Sequence, residues 1–172
     1  MRLLQPIALA ALAAFTGSAA AADCEPRNPD GIAAGDELIA WIQTAVHEFI
    51  PIEDSWSEGF DRVFSTELVA TFNATMHNFG SLRGLFGAFH PRIVERYAGT
   101  FTHGYFSAIG VPHATNRGGN VYLTGWEGGF VGGDVNNVYN ATQGSFGVIE
   151  EQEDCSLKIV EWRESSNLAT TG

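Results

Sequence analysis

Three side chains in the second half of the chain have the chemistry for proton transfer: His103 in YAGTFTHGYFSAI, Glu127 in GWEGGF and Glu161 in KIVEWRES. Imidazole titrates near neutral pH, and a carboxyl moved out of water has its pKa raised toward the same range. Read as a strand, residues 97–109 put Tyr97, Phe101, His103 and Tyr105 on one face, so that aromatic rings flank the imidazole. Strand parity does not say which face is inner. The same pattern serves a catalytic histidine in an aromatic pocket, a core histidine with a satisfied hydrogen bond, or one on an outer face. Glu127 is a charge set among glycines and aromatics, and Glu161 alternates with Ile159 on the last strand. Facing inward, either suits general acid or base work. Facing outward, either is an ordinary surface carboxylate, and Glu161, Arg163 and Glu164 equally suit an exposed charge ladder. Tyr97, Phe101, Tyr105 and Trp126 are the candidate walls of a ligand cavity, with core packing the other use of such rings.

Other chemistries find no support in the spacing. His77, His90 and His113 lie in turn-like or helix-end positions without metal-ligand spacing, so no metal site is expected. The run GGFVGGD is glycine-rich, but no Lys-Ser/Thr follows it and its context is β, unlike a phosphate loop. There is no Gly-x-Ser-x-Gly elbow for a serine hydrolase.

The elements that must position these residues divide the chain in two. DELIAWIQTAVHEFI places Leu38, Ile42, Ala45 and Phe49 on one helical stripe, with Asp36 as N-cap and Pro51 as stop. SWSEGFDRVFSTELVATF reads as a second helical piece, and VATFNATMHNF as a short extended segment turning near Asn73. A third short helix fits SLRGLFGAFHPRIVE, although Gly84, Gly87 and Pro91 oppose it. From ERYAGTF onward the pattern is β: long runs separated by PHATNRGG, GDVNN and EQEDC. Helices followed by strands with short turns predict an α+β domain with a mostly antiparallel sheet, which the strand glycines bend strongly.

The first 22 residues carry one Arg, a Leu/Ala-rich apolar stretch and an Ala-x-Ala ending, the pattern of a secretory signal peptide cut near Ala22. Gln5 and Pro6 interrupt that run, and no later segment is long and apolar enough to span a bilayer, so a secreted, soluble product is expected. The domain boundaries read are 1–22 signal peptide, 23–35 irregular arm, 36–167 domain and 168–172 tail. A net charge of −11, from 20 Asp plus Glu against 9 Lys plus Arg, repels phosphate backbones and argues against a nucleic-acid partner. Cys24 and Cys155 are the two cysteines. Outside the cytosol they are expected to pair, which the chain-entropy argument values at about 4–5 kcal/mol; two free thiols or an intermolecular bridge stay open. Asn73-Ala74-Thr75 and Asn140-Ala141-Thr142 are sequons for glycosylation.

The layout of DELIAWIQTAVHEFI, SWSEGFDRVF, GTFTHGYFSAIGVP, NVYLTGWEGGFVGG, GSFGVIEE and LKIVEWRESSN resembles the SnoaL-like, or nuclear transport factor two-like, superfamily from about Asp36 to Asn167. The resemblance implies a cone-shaped α+β barrel, a strongly curved, mixed but mostly antiparallel sheet wrapped around N-terminal helices, with a deep pocket between sheet and helices. It also implies a small apolar molecule as partner, and either cofactor-independent cyclisation, isomerisation or dehydration or a non-enzymatic binding or interaction role. His103 would then transfer the proton, with Glu127 or Glu161 as its partner and Tyr105 and Trp126 as walls. No bound cofactor is implied, and a homodimer through the sheet is left open. The Tyr-Asp pair of the family's isomerases and dehydratase is missing from the first helix, which offers Trp41, His47 and Glu48.

Overall fold

The computed structural model describes residues 24–168. The expected signal peptide over 1–22 and most of the expected tail lie outside the described residues. Three helices, α1 (Gly31–Phe49), α2 (Trp56–Val63) and α3 (Phe79–Tyr97), accompany six strands: β1 (Phe64–Phe72), β2 (Thr75–Asn78), β3 (Thr102–Pro112), β4 (Gly119–Phe130), β5 (Val138–Glu151) and β6 (Leu157–Ser166). The strand order is β2-β1-β6-β5-β4-β3, with β1 and β6 parallel and every other pair antiparallel. This is the α+β, mixed but mostly antiparallel architecture expected, with the sheet open at β2 and β3 and not closed into a barrel.

Helix α1 begins six residues earlier than the sequence pattern indicates, which shortens the arm, and helix α2 stops at Val63, the expected helical continuation FSTELVATF forming β1 instead. Asp30, not Asp36, is the cap: its carboxylate accepts from the backbone N–H groups of Ile32 at 2.8 Å and Ala33 at 3.0 Å. The expected stripe of Leu38, Ile42, Ala45 and Phe49 is buried. The helix crosses the sheet where two glycines meet, since a Cβ on Gly35 would stand 2.8 Å from the Gly110 carbonyl oxygen. Backbone approach that close needs glycine on both sides.

Helix α3 runs through Pro91 to Tyr97, so that YAG ends a helix and does not begin a strand. A reciprocal cap starts it: Asn78 Oδ1 accepts from the Ser81 N–H at 2.9 Å, and Ser81 Oγ accepts from the Asn78 N–H at 3.0 Å. Ala98 and Gly99, at φ 48° and 77°, turn the chain into β3. Burial of Leu82, Phe86, Ile93 and Tyr97 outweighs the hydrogen bond that Pro91 removes.

Helices α1 and α3 pack on the same face of the sheet, which we call the inner face. The core between them is largely aromatic: Phe49 lies 4.8 Å from Phe64 and edge-on to Trp162 at 5.7 Å, and Phe60 lies edge-on to Phe86 at 5.8 Å. Two bulges set which residues face it. Phe106 is extra on β3, between Tyr105 and Ser107. Val160 is extra on β6, because Ile149 of β5 pairs with Ile159 and Val148 pairs with Glu161. A disulfide joins Cys24 to Cys155, with Cα atoms 5.2 Å apart, and fixes the arm to the turn before β6.

Candidate functional site

Between the inner face of the sheet and helices α1 and α3 lies a cavity of about 40 Å3. That is room for about three water molecules. The space is much smaller than the deep pocket expected, because Phe49, Phe86, Phe89 and Trp162 fill the interior and Leu168 stands among the lining residues. Leu168 is held there through its N–H, which donates to Ser166 Oγ at 3.0 Å. The adjoining Asn167 accepts from the Thr142 N–H through Oδ1 at 2.7 Å.

The polar groups of the lining come from four strands. Glu127 of β4 faces inward with Val121, Leu123 and Gly125, and it is the one charged residue buried among the described residues, at 6% exposure. Its neighbour across β5 is the small, buried Ala141, over which the carboxyl reaches to accept from Ser166 Oγ at 2.5 Å. Glu164 of β6 is half-buried as a residue, with its carboxyl at the cavity wall, where Oε2 accepts from the Trp162 indole N–H at 2.9 Å. Tyr105 of β3 has a buried hydroxyl without a partner. Gln143 and Ser145 of β5 complete the polar wall.

The electrostatics single out the two carboxyls. Burial raises the pKa of Glu127, against the opposing pull of the Ser166 hydrogen bond. Burial first, and the charge of Glu127 second, push Glu164 up to about 7, with the Trp162 hydrogen bond acting the other way. Two carboxyls that feel each other in a dry site cannot both ionise at ordinary carboxylate pH, so they titrate together and hold a proton near neutrality. Burial also pushes the Tyr105 phenol up to about 12, which leaves it a neutral hydrogen-bond donor at any ordinary pH.

The residues expected from the sequence fall into three groups. Glu127 and Tyr105 line the cavity. His103 lies on the inner face directly opposite Glu127 in the β3–β4 ladder, yet it is not part of the lining. Its ring sits 6.0 Å from that of His47 on α1 and edge-on to Tyr105 at 5.6 Å, and Nδ1 is buried without a partner. Burial, then the neighbouring His47, lowers its pKa and keeps it neutral at pH 7. The expected His103–Glu127 hydrogen bond is not made, because the carboxyl turns away from β3 toward β6. Tyr97 and Phe101 form a second cluster with Ile50 and Ile93, packed edge-on at 4.9 Å, and do not line the cavity.

The third group is on the other side of the sheet. Trp126 points outward, since the inward residues of β4 are the odd-numbered ones, and its indole covers Gly104. Glu161 also points outward and accepts from Arg163 Nε at 2.5 Å. The reason is the Val160 bulge: two-residue alternation from the buried Ile159 would bring Glu161 inside, but the extra residue brings Trp162 and Glu164 inside instead. Glu164 is therefore the site residue that sequence reasoning missed. The signal available for it was Trp162, a large aromatic on an amphipathic strand that had to be buried and so carried Glu164 with it. Both sequon residues, Asn73 and Asn140, are exposed, and Asn73 Oδ1 accepts from the Ser166 N–H at 3.0 Å.

No protein-family model matches the chain, and no curated protein matches it. Solved structures do. One described as a SnoaL-like polyketide cyclase from Jannaschia sp. CCS1 superposes with a TM-score of 0.53 at 12% identity, covering 84% of this chain and 92% of that one. An NTF2-like protein of unknown function from Pseudomonas putida KT2440 gives 0.53 at 7% identity, covering 76% and 87%. One described as a calcium/calmodulin dependent protein kinase II association domain from Xanthomonas campestris gives 0.54 at 10% identity, covering 88% and 99%. At such identities the likeness is one of fold, and three proteins with three different descriptions share it.

Proposed function

We propose, from the SnoaL-like, NTF2-like fold as premise, that this protein binds a small, largely apolar molecule between its sheet and helices and acts on it by cofactor-independent proton transfer. The observation that carries the reading is that Glu127, buried, and Glu164, half-buried, line one aromatic-walled cavity in which burial raises the pKa of both. A general acid or base works best with a pKa close to the operating pH, which the pair supplies. Tyr105 adds a neutral donor for an oxygen of the bound molecule. The cyclisation, isomerisation or dehydration expected from the sequence each need a proton removed at one atom and delivered at another, and a carboxyl with a carboxylate beside it can do both. His103 transfers no proton in this version; its ring packs edge-on against Tyr105.

A binding-only role is the second reading, favoured by the small size of the cavity and by Leu168 in its lining. Native mass spectrometry of the purified protein and of its Glu164→Gln variant, followed by analysis of whatever small molecule is released, separates the two. Turnover of the released molecule by the parent protein and not by the variant is expected. Equal retention of an unchanged molecule by both would leave binding alone. We also propose that the chain is exported and glycosylated, supported by the pattern of residues 1–22, the Cys24–Cys155 bridge and the exposed Asn73 and Asn140. The intact mass of the secreted protein checks both points.

A further inference from the structure

Resting on that reading of the cavity, we infer that the molecule it takes is a small amine, whose ammonium group sits between Glu127 and Glu164 and whose apolar body lies against the phenylalanine rings. The first reason is charge. Two carboxyls line the cavity and no Lys, Arg or His lines it with them. The arginine nearest in sequence to the pair, Arg163, points to the outer face and is bound to Glu161. Buried charge needs a counter-charge or must be neutralised by protonation, and a cationic ligand is the counter-charge that the protein itself does not provide.

The second reason is hydrogen bonding. An ammonium group has donors and no acceptors, and the cavity presents acceptors to match: the two carboxyls, the Ser145 hydroxyl and the Gln143 carbonyl. The Tyr105 hydroxyl is buried and unpartnered, so its oxygen is free to accept as well. The third is the wall. Phe49, Phe86, Phe89 and Trp162 line the same cavity as the carboxyls, and ring faces attract cations as well as apolar groups. The fourth is size. Room for about three waters corresponds to roughly 90 Å3 of liquid, the space of a molecule with about four or five heavy atoms.

Other charges do not alter the balance. A carboxylic acid ligand would add a third acid to a site that already strains to ionise two. A neutral alcohol could bond the shared proton, but it would leave the second ionisation uncompensated. Near the pair stand Tyr97, whose phenol is raised by burial, and the neutral His103 opposite Glu127; the Arg96 guanidinium lies over the rings of Tyr97 and Tyr139, outside the cavity lining. The segments of α1 and α3 that line the cavity contribute only apolar side chains. Binding of an ammonium ion lets both carboxyls ionise, the proton they shared leaves to solvent, and in the complex the ammonium N–H replaces the protonated carboxyl as the acid beside a carboxylate base.

The test is titration calorimetry on the intact, disulfide-bonded protein with isobutylamine, isobutanol and isobutyrate, at pH 7 and pH 5 and in two buffers of different ionisation heat. The amine is expected to bind at least about tenfold more tightly than the alcohol, as charge-assisted hydrogen bonds allow. It should release up to about one proton at pH 7 and bind about tenfold or more weakly at pH 5, where Glu164 is protonated. Glu164→Gln is expected to lose the preference for the amine and keep the affinity for the alcohol. An alcohol that binds as tightly as the amine overturns the amine inference and leaves the cavity reading standing. Failure of all three probes, in the parent and in a Leu168→Ala variant with a wider mouth, overturns both.

Discussion

Replacing Glu164 with glutamine is expected to stabilise the protein at pH 8 and to change nothing at pH 5. In the folded protein the Glu164 carboxyl titrates at about 7, against 4.5 for the ordinary group. The folded state therefore holds this proton more tightly than the unfolded chain, and stability falls as pH rises from about 4.5 through about 7. At about 1.4 kcal/mol for each pH unit between the two values, ionising Glu164 in place costs roughly 3 kcal/mol above pH 7. Glutamine has nearly the same shape, keeps a carbonyl oxygen for the Trp162 indole N–H and carries no charge, so it removes that cost and relieves Glu127 too. Urea denaturation at pH 5, 6, 7 and 8 measures the difference. It should grow from about zero to about 1–3 kcal/mol, which in a chain of this size is a rise in Tm on the order of 5–10 °C. Asp30 and Asp154, whose pKa values are lowered by hydrogen bonds, contribute stability that is lost only as pH falls below about 4, and they do so in both proteins. A variant less stable at pH 8, or one whose advantage is the same at pH 5, would refute the assignment of Glu164 to a dry, coupled pair. Stability surrendered at a functional group is a common cost of active sites.

Three further outcomes are expected. Tyr105→Phe removes a buried hydroxyl that has no hydrogen-bond partner in the protein, so stability should be unchanged or rise by up to about 1 kcal/mol in denaturant melts, while affinity for any cavity ligand falls. Glu161→Ala breaks only the outer-face pair with Arg163 and should alter both stability and ligand binding by less than about 0.5 kcal/mol. Reducing the Cys24–Cys155 bridge, which spans 131 residues, should lower stability by about 4–5 kcal/mol at most in melts run with and without reductant, and a loss near zero would mean that the arm contributes nothing once docked.

Much of the fold was legible because the strongest local signals agree with the tertiary arrangement. The stripe on α1, the turn at Asn73 and the long glycine-punctuated strands all appear where the pattern puts them. Boundaries failed where tertiary contact overrides local preference. GIAAG is a weak helix opening until Asp30 caps it and Gly35 meets Gly110, neither of which the local pattern reveals. Tyr97, Phe101, His103 and Tyr105 show a period of two, but Tyr97 belongs to a helix whose buried face carries it past Pro91. The site was half legible for a similar reason. Residue type picked out Glu127 and Tyr105, whereas facing decided Glu161, Trp126 and Glu164, and facing depends on bulges that leave little trace in composition.

The extra residue at Val160 makes the chemistry of the interior depend on a count. Were Val160 taken into a regular ladder instead of bulged out, Trp162 and Glu164 would turn out to solvent and Glu161 and Arg163 would come under the helices, an ion pair in place of an acid pair, whereas deleting Val160 would leave Trp162 and Glu164 inside. A slip of register at that one point could therefore abolish the paired carboxyls without any substitution at either of them, so what holds the bulge in place also holds the chemistry of the interior.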